Sequence, residues 1–273
     1  MTTTSHDPRR SLALLWGQPG RAGRSGLSIG WIVEAAVKLA DAEGLAALSM
    51  RRLAADLGVG TMALYTHVPG KEALLDVMFD AVLGEFYRDA PPREKPGGWQ
   101  AGLRSVAEEN WAAYQRHPWA FELGPRPALG PNTVRKYDLE LGPLEGIGLT
   151  FVEMNEALSL VLNHVAGVAR IAWQLAEERK RTGLSDADWW AQHEPVMAAA
   201  TELMPYQLAS RVGQAASEAA NGLYDPKLAF EFGVDRIIDG IGVLVARRAP
   251  TATPATAPDA APKKTARRRA PKA

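Results

Sequence analysis

LSMRRLAADLGVGTMALYTHVPGKEALL, residues 48–75, reads as one short helix, a tight turn, a second short helix and the opening of a third. Ser49 offers a side-chain oxygen to cap a helix running to about Leu57, with Leu53, Ala54 and Leu57 facing inward. Gly58 makes the turn, Thr61 to His67 form the next helix, and Pro69-Gly70 break it before a helix from about Lys71 to Tyr87. The polar ends of Arg51, Tyr65, His67 and Lys71 are spaced to lie along a nucleic-acid backbone. A short helix held against a second by a glycine turn can enter the major groove while its partner crosses the phosphates. The stretch therefore points to reading duplex DNA rather than to performing chemistry.

Working outward, Ile32, Ala35, Ala36, Leu39 and Ala40 fall on one face of a preceding helix that starts near Ser28 and stops at Gly44. Downstream, APPREKPGG (90–98) reads as a linker. Helical pattern resumes from Trp99 to about Arg116 and again from Asn132 to about Glu145. Thr150 and Glu153 have the spacing of a capping box and open a long helix to about Arg181. Its apolar run Ala157–Trp173 predicts burial on more than one face. Ser185 and Asp188 form another capping-box candidate, and Asp225-Pro226 opens a last helix through Phe230, Phe232, Val234, Ile237, Ile238, Ile241 and Leu244. No strand and no repeat is legible, so the chain reads as all-α.

The net charge is zero across 273 residues, but the charge is unevenly placed. Residues 1–26 carry +3, residues 247–273 carry +7, and 27–246 therefore carry −10. Basic ends on an acidic body suggest segments that seek a polyanion. Cysteine is absent, which excludes disulfides and thiolate metal sites and fits a reducing cytoplasm. No signal peptide or membrane span is legible. Adjacent acids such as Glu108-Glu109 and Glu177-Glu178 diverge around a helix, and no nucleophile–base pair or clustered histidines appear. The chain reads as a non-enzyme with no cofactor and no metal, placed in the cytoplasm at the nucleoid.

Residues 32–75, with the alanine pair, Gly44, LSMRRLA, the LGV turn and the ALYxHxxxK run, resemble the N-terminal domain of TetR-family transcriptional repressors. By that resemblance Thr61, Met62, Ala63 and Thr66 face base edges, Arg51 meets phosphate or guanine, and Tyr65, His67 and Lys71 meet phosphate. Arg21 and Arg24, on the Gly-rich arm 20–26, suit a narrow minor groove. Residues 99–248 are similar to the C-terminal domain of the tetracycline-repressor subgroup, through WQAGLR (99–104), LGPRP (123–127), GLTFVEMNEALSLV (148–161) and FEFGVDRIIDGI (230–241).

The resemblance implies five segments: a flexible basic arm (1–27), a three-helix helix-turn-helix domain with its connecting helix (28–87), a linker (88–98), a ligand-binding and dimerisation domain (99–248), and a disordered basic tail (249–273). A homodimer on a palindromic operator follows, with Gly233, Gly240 and Gly242 permitting close helix approach. A small-molecule inducer would then sit among Asn110, Trp111, Trp119, Glu122, Arg126, Tyr137, Asn163, His164 and Trp173. His164 reads equally as a core histidine bonded to a backbone carbonyl, and each tryptophan as plain packing. Glu122 and Tyr87 stand where the subgroup has its magnesium-binding and drug-contacting histidines, so the expected inducer is hydrophobic or aromatic rather than a tetracycline–magnesium pair. The competing readings are an architectural nucleoid protein using its basic tail and a helical enzyme.

Overall fold

The computed structural model of the chain describes residues 8–17, 27–123, 129–202 and 206–248. Among them the backbone forms eleven α-helices and three short 3₁₀ turns, with no strand. The fold class is the expected one.

The helix-turn-helix forms where its caps place it. Ser28 accepts from Trp31 N to start α2 (Ile29–Glu43), and Gly44, at φ +79°, ends it. Ser49 accepts from Arg52 N to start α3 (Met50–Asp56), and Gly58 at φ +67° turns the chain into α4 (Thr61–Tyr65). Ile32, Ala36, Leu53, Leu64, Leu74 and Met78 bury together beneath α3 and α4, the last two from α5 (Lys71–Leu83). The helix expected to continue to Tyr87 stops at Leu83. Gly84 caps it, and Tyr87 sits at φ +55°, a left-handed conformation that a helix cannot propagate. Two guanidinium bonds from Arg135, to Phe86 O at 3.0 Å and Tyr87 O at 3.3 Å, pin that turn.

The expected flexible arm contains a helix, α1 (Pro8–Trp16), packed along α5. Leu14 and Leu15 lie against the core beneath α3 and α4, and Trp16 Nε1 donates to Leu129 O at 2.7 Å. Arg21, Arg24, Arg126 and the tail 249–273 fall outside the described residues.

The remaining helices form the body. α6 (Gly98–Arg116) leads through a 3₁₀ turn, Pro118–Glu122, towards α7 (Pro131–Leu141). Pro143 ends α7 four residues before the expected Glu145 and leaves a 3₁₀ turn, Gly142–Leu144. α8 (Phe151–Thr182) opens on the expected capping box: Thr150 Oγ1 accepts Glu153 N, and Glu153 accepts Thr150 N at 2.9 Å. α9 (Asp186–Glu202) and α10 (Gln207–Ala220) follow, and Asp225 caps α11 (Pro226–Arg248).

α6, α8 and α11 share a second core around Leu103, Leu158, Val161, Val165, Val234 and Ile238. The expectation that α8 is buried on more than one face fails within a single chain. Met154, Leu158, Val161, Val165, Val168 and Ala169 form one buried stripe, while Leu160 and Ile171 stand exposed. α6 and α11 cover the buried stripe, and α7 and the 3₁₀ turn Pro118–Glu122 touch α8 as well.

Candidate nucleic-acid interface and ligand cavity

The candidate reading face is drawn from α3, α4 and the start of α5. Met62 is 76% exposed and Tyr65 44%, both projecting from a helix whose Leu64 is fully buried. Thr66 is exposed, its hydroxyl donating to Ala63 O at 2.7 Å. Thr61, Ala63 and His67 are half-buried, and Ala63 packs partly on the core. Arg51 is exposed, whereas its neighbour Arg52 bonds Asp56 and Glu43, each at 3.0 Å. Of the two adjacent arginines, Arg52 is committed to braces within the domain. Lys71 donates to Leu45 O at 3.1 Å, a contact that fixes the ammonium near the face and leaves donors over.

A cavity of about 240 Å³ lies where α5 meets the body. Its apolar walls include Phe79, Val82, Leu83 and Phe86 from α5 and the turn after it, Ala113 and Tyr114 from α6, and Leu162 from α8. Its polar end is built from Asn110, Lys136 and Glu140. Glu140 Oε1 accepts from Tyr87 OH at 2.8 Å and from Asn110 Nδ2 at 2.6 Å, and Lys136 Nζ lies 2.7 Å away. Burial first, and the charge of Glu140 second, raise Tyr87 and Tyr114 above the usual tyrosine range, so both hydroxyls stay protonated.

Two joints tie this cavity to the reading domain. In the first, Asp80 of α5 is buried and caps α7: Thr133 N donates to Oδ1 at 2.9 Å, Thr133 Oγ1 at 3.1 Å, and Asn132 Nδ2 to Oδ2 at 3.1 Å. A carboxylate at a helix N-terminus satisfies donors that have no intrahelical partner. Gly130 is required there, because a Cβ would sit 2.2 Å from Asp80 Oδ1. In the second, His117 lines the cavity and turns its ring nitrogens to two carboxylates. Nδ1 lies 2.8 Å from Asp41 of α2, and Nε2 lies 3.3 Å from Glu85 after α5. Trp119 Nε1 donates to the same Asp41 oxygen at 2.7 Å.

Of the residues expected at the ligand, Asn110 and Tyr137 line this cavity. Trp111 meets Phe230 in a tilted ring contact at 4.8 Å, half-buried against the second core, and Trp119, 1% exposed, belongs to the first. Trp173 lies against Phe121, and Glu122 is exposed at the end of its 3₁₀ turn. Asn163 is exposed on α8. His164 meets Phe230 O at 3.3 Å and fills the space over Gly233, where a Cβ would lie 2.1 Å from its ring. Gly233 therefore serves packing within the chain, while nothing lies within 4 Å of a Cβ at Gly240. Sequence reading missed Asp80, His117, Lys136 and Glu140. Among the described residues no group of His, Asp and Glu is placed to hold a metal, and no helix is long and apolar enough to cross a membrane.

The family model of bacterial regulatory proteins, tetR family, matches residues 32–78, and that of the tetracyclin repressor-like C-terminal domain matches 91–245. The chain is 40% identical over 257 residues to the HTH-type transcriptional repressor DrrR1 of Streptomyces coeruleorubidus, covering 90% of each chain. It is 28% identical to the tetracycline repressor protein class C of Escherichia coli, over 77% of this chain and 88% of that protein. The crystal structure of the TetR family protein ActR of Streptomyces coelicolor in complex with actinorhodin superposes with a TM-score of 0.64 at 28% identity, over 83% of this chain and 99% of that one.

Proposed function

The chain belongs to the tetR family of bacterial regulatory proteins, and on that premise we propose that it is a ligand-responsive transcriptional repressor, a DNA-binding regulator rather than an enzyme. Residues 28–87 read a palindromic operator, residues 99–248 dimerise and sense a hydrophobic or aromatic inducer, and 88–98 join them. A relative named as a repressor and a structural neighbour solved with a bound small molecule support this reading.

The observation that carries it is the double duty of α5. Its first residue, Lys71, stands beside α4, and two to three turns later Phe79, Val82 and Leu83 form the cavity wall. A ligand that displaces this wall moves the reading domain on the same rigid element, and the coupling needs only a difference in affinity between two arrangements. Thr61, Met62, Ala63 and Thr66 are assigned to base edges. Arg51, Tyr65, His67 and Lys71 are assigned to the backbone. The exposed apolar side chains of α8 and α11, among them Leu160, Phe232 and Val243, supply the contact between two copies.

Footprinting on DNA flanking the protein's own gene tests the proposal, with and without hydrophobic aromatic compounds. A protected inverted repeat that is lost on adding one compound is the expected result. Protection that is indifferent to sequence would overturn it in favour of an architectural role, as would turnover of the compound in favour of an enzyme.

A further inference from the structure

The polar end of the cavity holds a charge pair in a place where charges are costly. Lys136 and Glu140 stand one turn apart on α7, a spacing at which pairs on an open helix face contribute little. Here Glu140 is 1% exposed and Lys136 9%. Burying an ion pair returns less than its desolvation cost unless further hydrogen bonds complete it.

The two partners are completed unequally. Glu140 Oε1 takes three donors, from Tyr87, Asn110 and Lys136. The Lys136 ammonium meets that oxygen at 2.7 Å and the face of Phe86 at 4.8 Å, which uses at most two of its three donors. Glu140 Oε1 is thus saturated, and Lys136, on a flexible four-carbon stem, keeps at least one donor of its ammonium. His117 is the other basic group of the wall, and both its nitrogens already face carboxylates, Asp41 and Glu85. The Tyr87 phenol is spent on Glu140, and the Asn110 amide on Glu140 and Val106 O, so the ammonium of Lys136 is the cationic donor left at this end of the cavity, beneath walls of Phe79, Val82, Leu83 and Phe86.

Resting on the reading of this cavity as the inducer site, we propose that the inducer is an aromatic acid. Its flat apolar body lies against the α5 wall, and its carboxylate or ionised hydroxyl takes the remaining donors of Lys136. Glu140 keeps its bonds to Tyr87 and Asn110 and acts as the built-in counter-ion that holds Lys136 in the wall. A cation at the same place meets the ammonium head-on, and a neutral ring gains only the apolar contact. Lys136 is therefore the specificity-determining residue for ligand charge.

Three probes of one shape test this on the full-length wild-type protein at pH 7: 2-naphthoate, 2-acetylnaphthalene and 2-naphthylmethylamine, with binding read by calorimetry. Naphthoate is expected to bind roughly tenfold or more tighter than the ketone, the scale of a hydrogen bond to a charged group, with the amine weakest. Lys136→Met should bring naphthoate down to the affinity of the ketone and leave the ketone within about twofold. Glu140→Gln should keep the preference for the acid. Equal binding of acid and ketone, or preference for the amine, overturns the proposal while leaving the cavity as a ligand site. Failure of all three probes to bind at millimolar concentration overturns the cavity reading itself. The wild-type series decides the matter even if Lys136→Met fails to fold.

Discussion

The reading face and the cavity treat their polar groups in opposite ways. On α3 and α4, Arg51, Tyr65 and Thr66 are exposed, and Met62 stands out from a buried Leu64. On the proposed reading that face meets an external polyanion, and until then water serves its exposed groups. Around the cavity, Asp80, Asn110, His117 and Glu140 are buried, and each has its partners within the protein. An unpaired polar group there costs a desolvation penalty that exposure spares the reading face. Substitutions should therefore act through DNA affinity in one region and through stability and coupling in the other.

The largest effect tests the buried side. Asp80→Ala strips Asn132 and Thr133 of their acceptor and leaves the N-terminus of α7 uncapped against α5. A loss of about 2–4 kcal/mol in urea unfolding is expected, the range for breaking a buried hydrogen-bond network. A loss below about 0.5 kcal/mol, ordinary for a surface change, would erase the contrast. On the reading face, Tyr65→Ala and Lys71→Ala should leave the unfolding midpoint nearly unchanged and weaken binding to operator and unrelated DNA alike, by roughly tenfold. Met62→Ala should instead change the ranking of operator variants. Wild-type operator affinity in both the Tyr65 and Lys71 variants would remove those residues from the interface.

The same contrast explains what the sequence disclosed. The helix-turn-helix is written in one continuous run, because Ser49, Gly58, Thr61 and the apolar Leu53 and Leu64 act through neighbours within a turn or two. The capping box at Thr150 and Glu153 was legible for the same reason. The cavity is drawn from α5, α6, α7 and α8, and its polar end joins Tyr87, Asn110 and Glu140 across 53 and 30 positions. Lys136 and Glu140 look in the sequence like any surface pair at helical spacing, and burial alone changes their meaning. The tryptophans drew attention as ligand contacts because they are large and aromatic. Trp119 is buried in the first core, and Trp111 packs half-buried against the second. Asp80 was hidden inside an apolar α5, and its role depends on a chain segment more than fifty residues away.

A smaller effect probes the joint between the two regions. His117→Gln removes a ring whose two nitrogens face Asp41 and Glu85, which a neutral imidazole can serve with only one N–H and the cation with two. The ligand should still bind, while the factor by which it lowers operator affinity shrinks by roughly threefold to tenfold, a coupling change of order 1 kcal/mol. Full release in that variant would show that α5 and its Asp80 cap carry the coupling without the histidine.

The smallest effect refines the rule that exposure means availability. Glu153 is not buried, yet it accepts from Thr150 N at 2.9 Å and Thr150 Oγ1 at 2.8 Å and receives Arg248 at 2.6 Å from the far end of α11. The backbone bond from Thr150, then its hydroxyl, then Arg248 hold the carboxyl down at about 2, against 4.5 for a free glutamate. Because the folded value is the depressed one, the stabilisation is fully present above the unfolded value. It is lost as pH falls from about 4.5 through about 2. The difference in urea midpoint between wild type and Glu153→Gln should therefore be constant from pH 7 to about 5 and close as pH approaches 2. A difference that persisted undiminished at the acid end would mean that the glutamine loses packing rather than charge. Commitment to partners would then have to be separated from exposure on the sensor body, just as it is on the reading face between the braced Arg52 and the exposed Arg51 beside it.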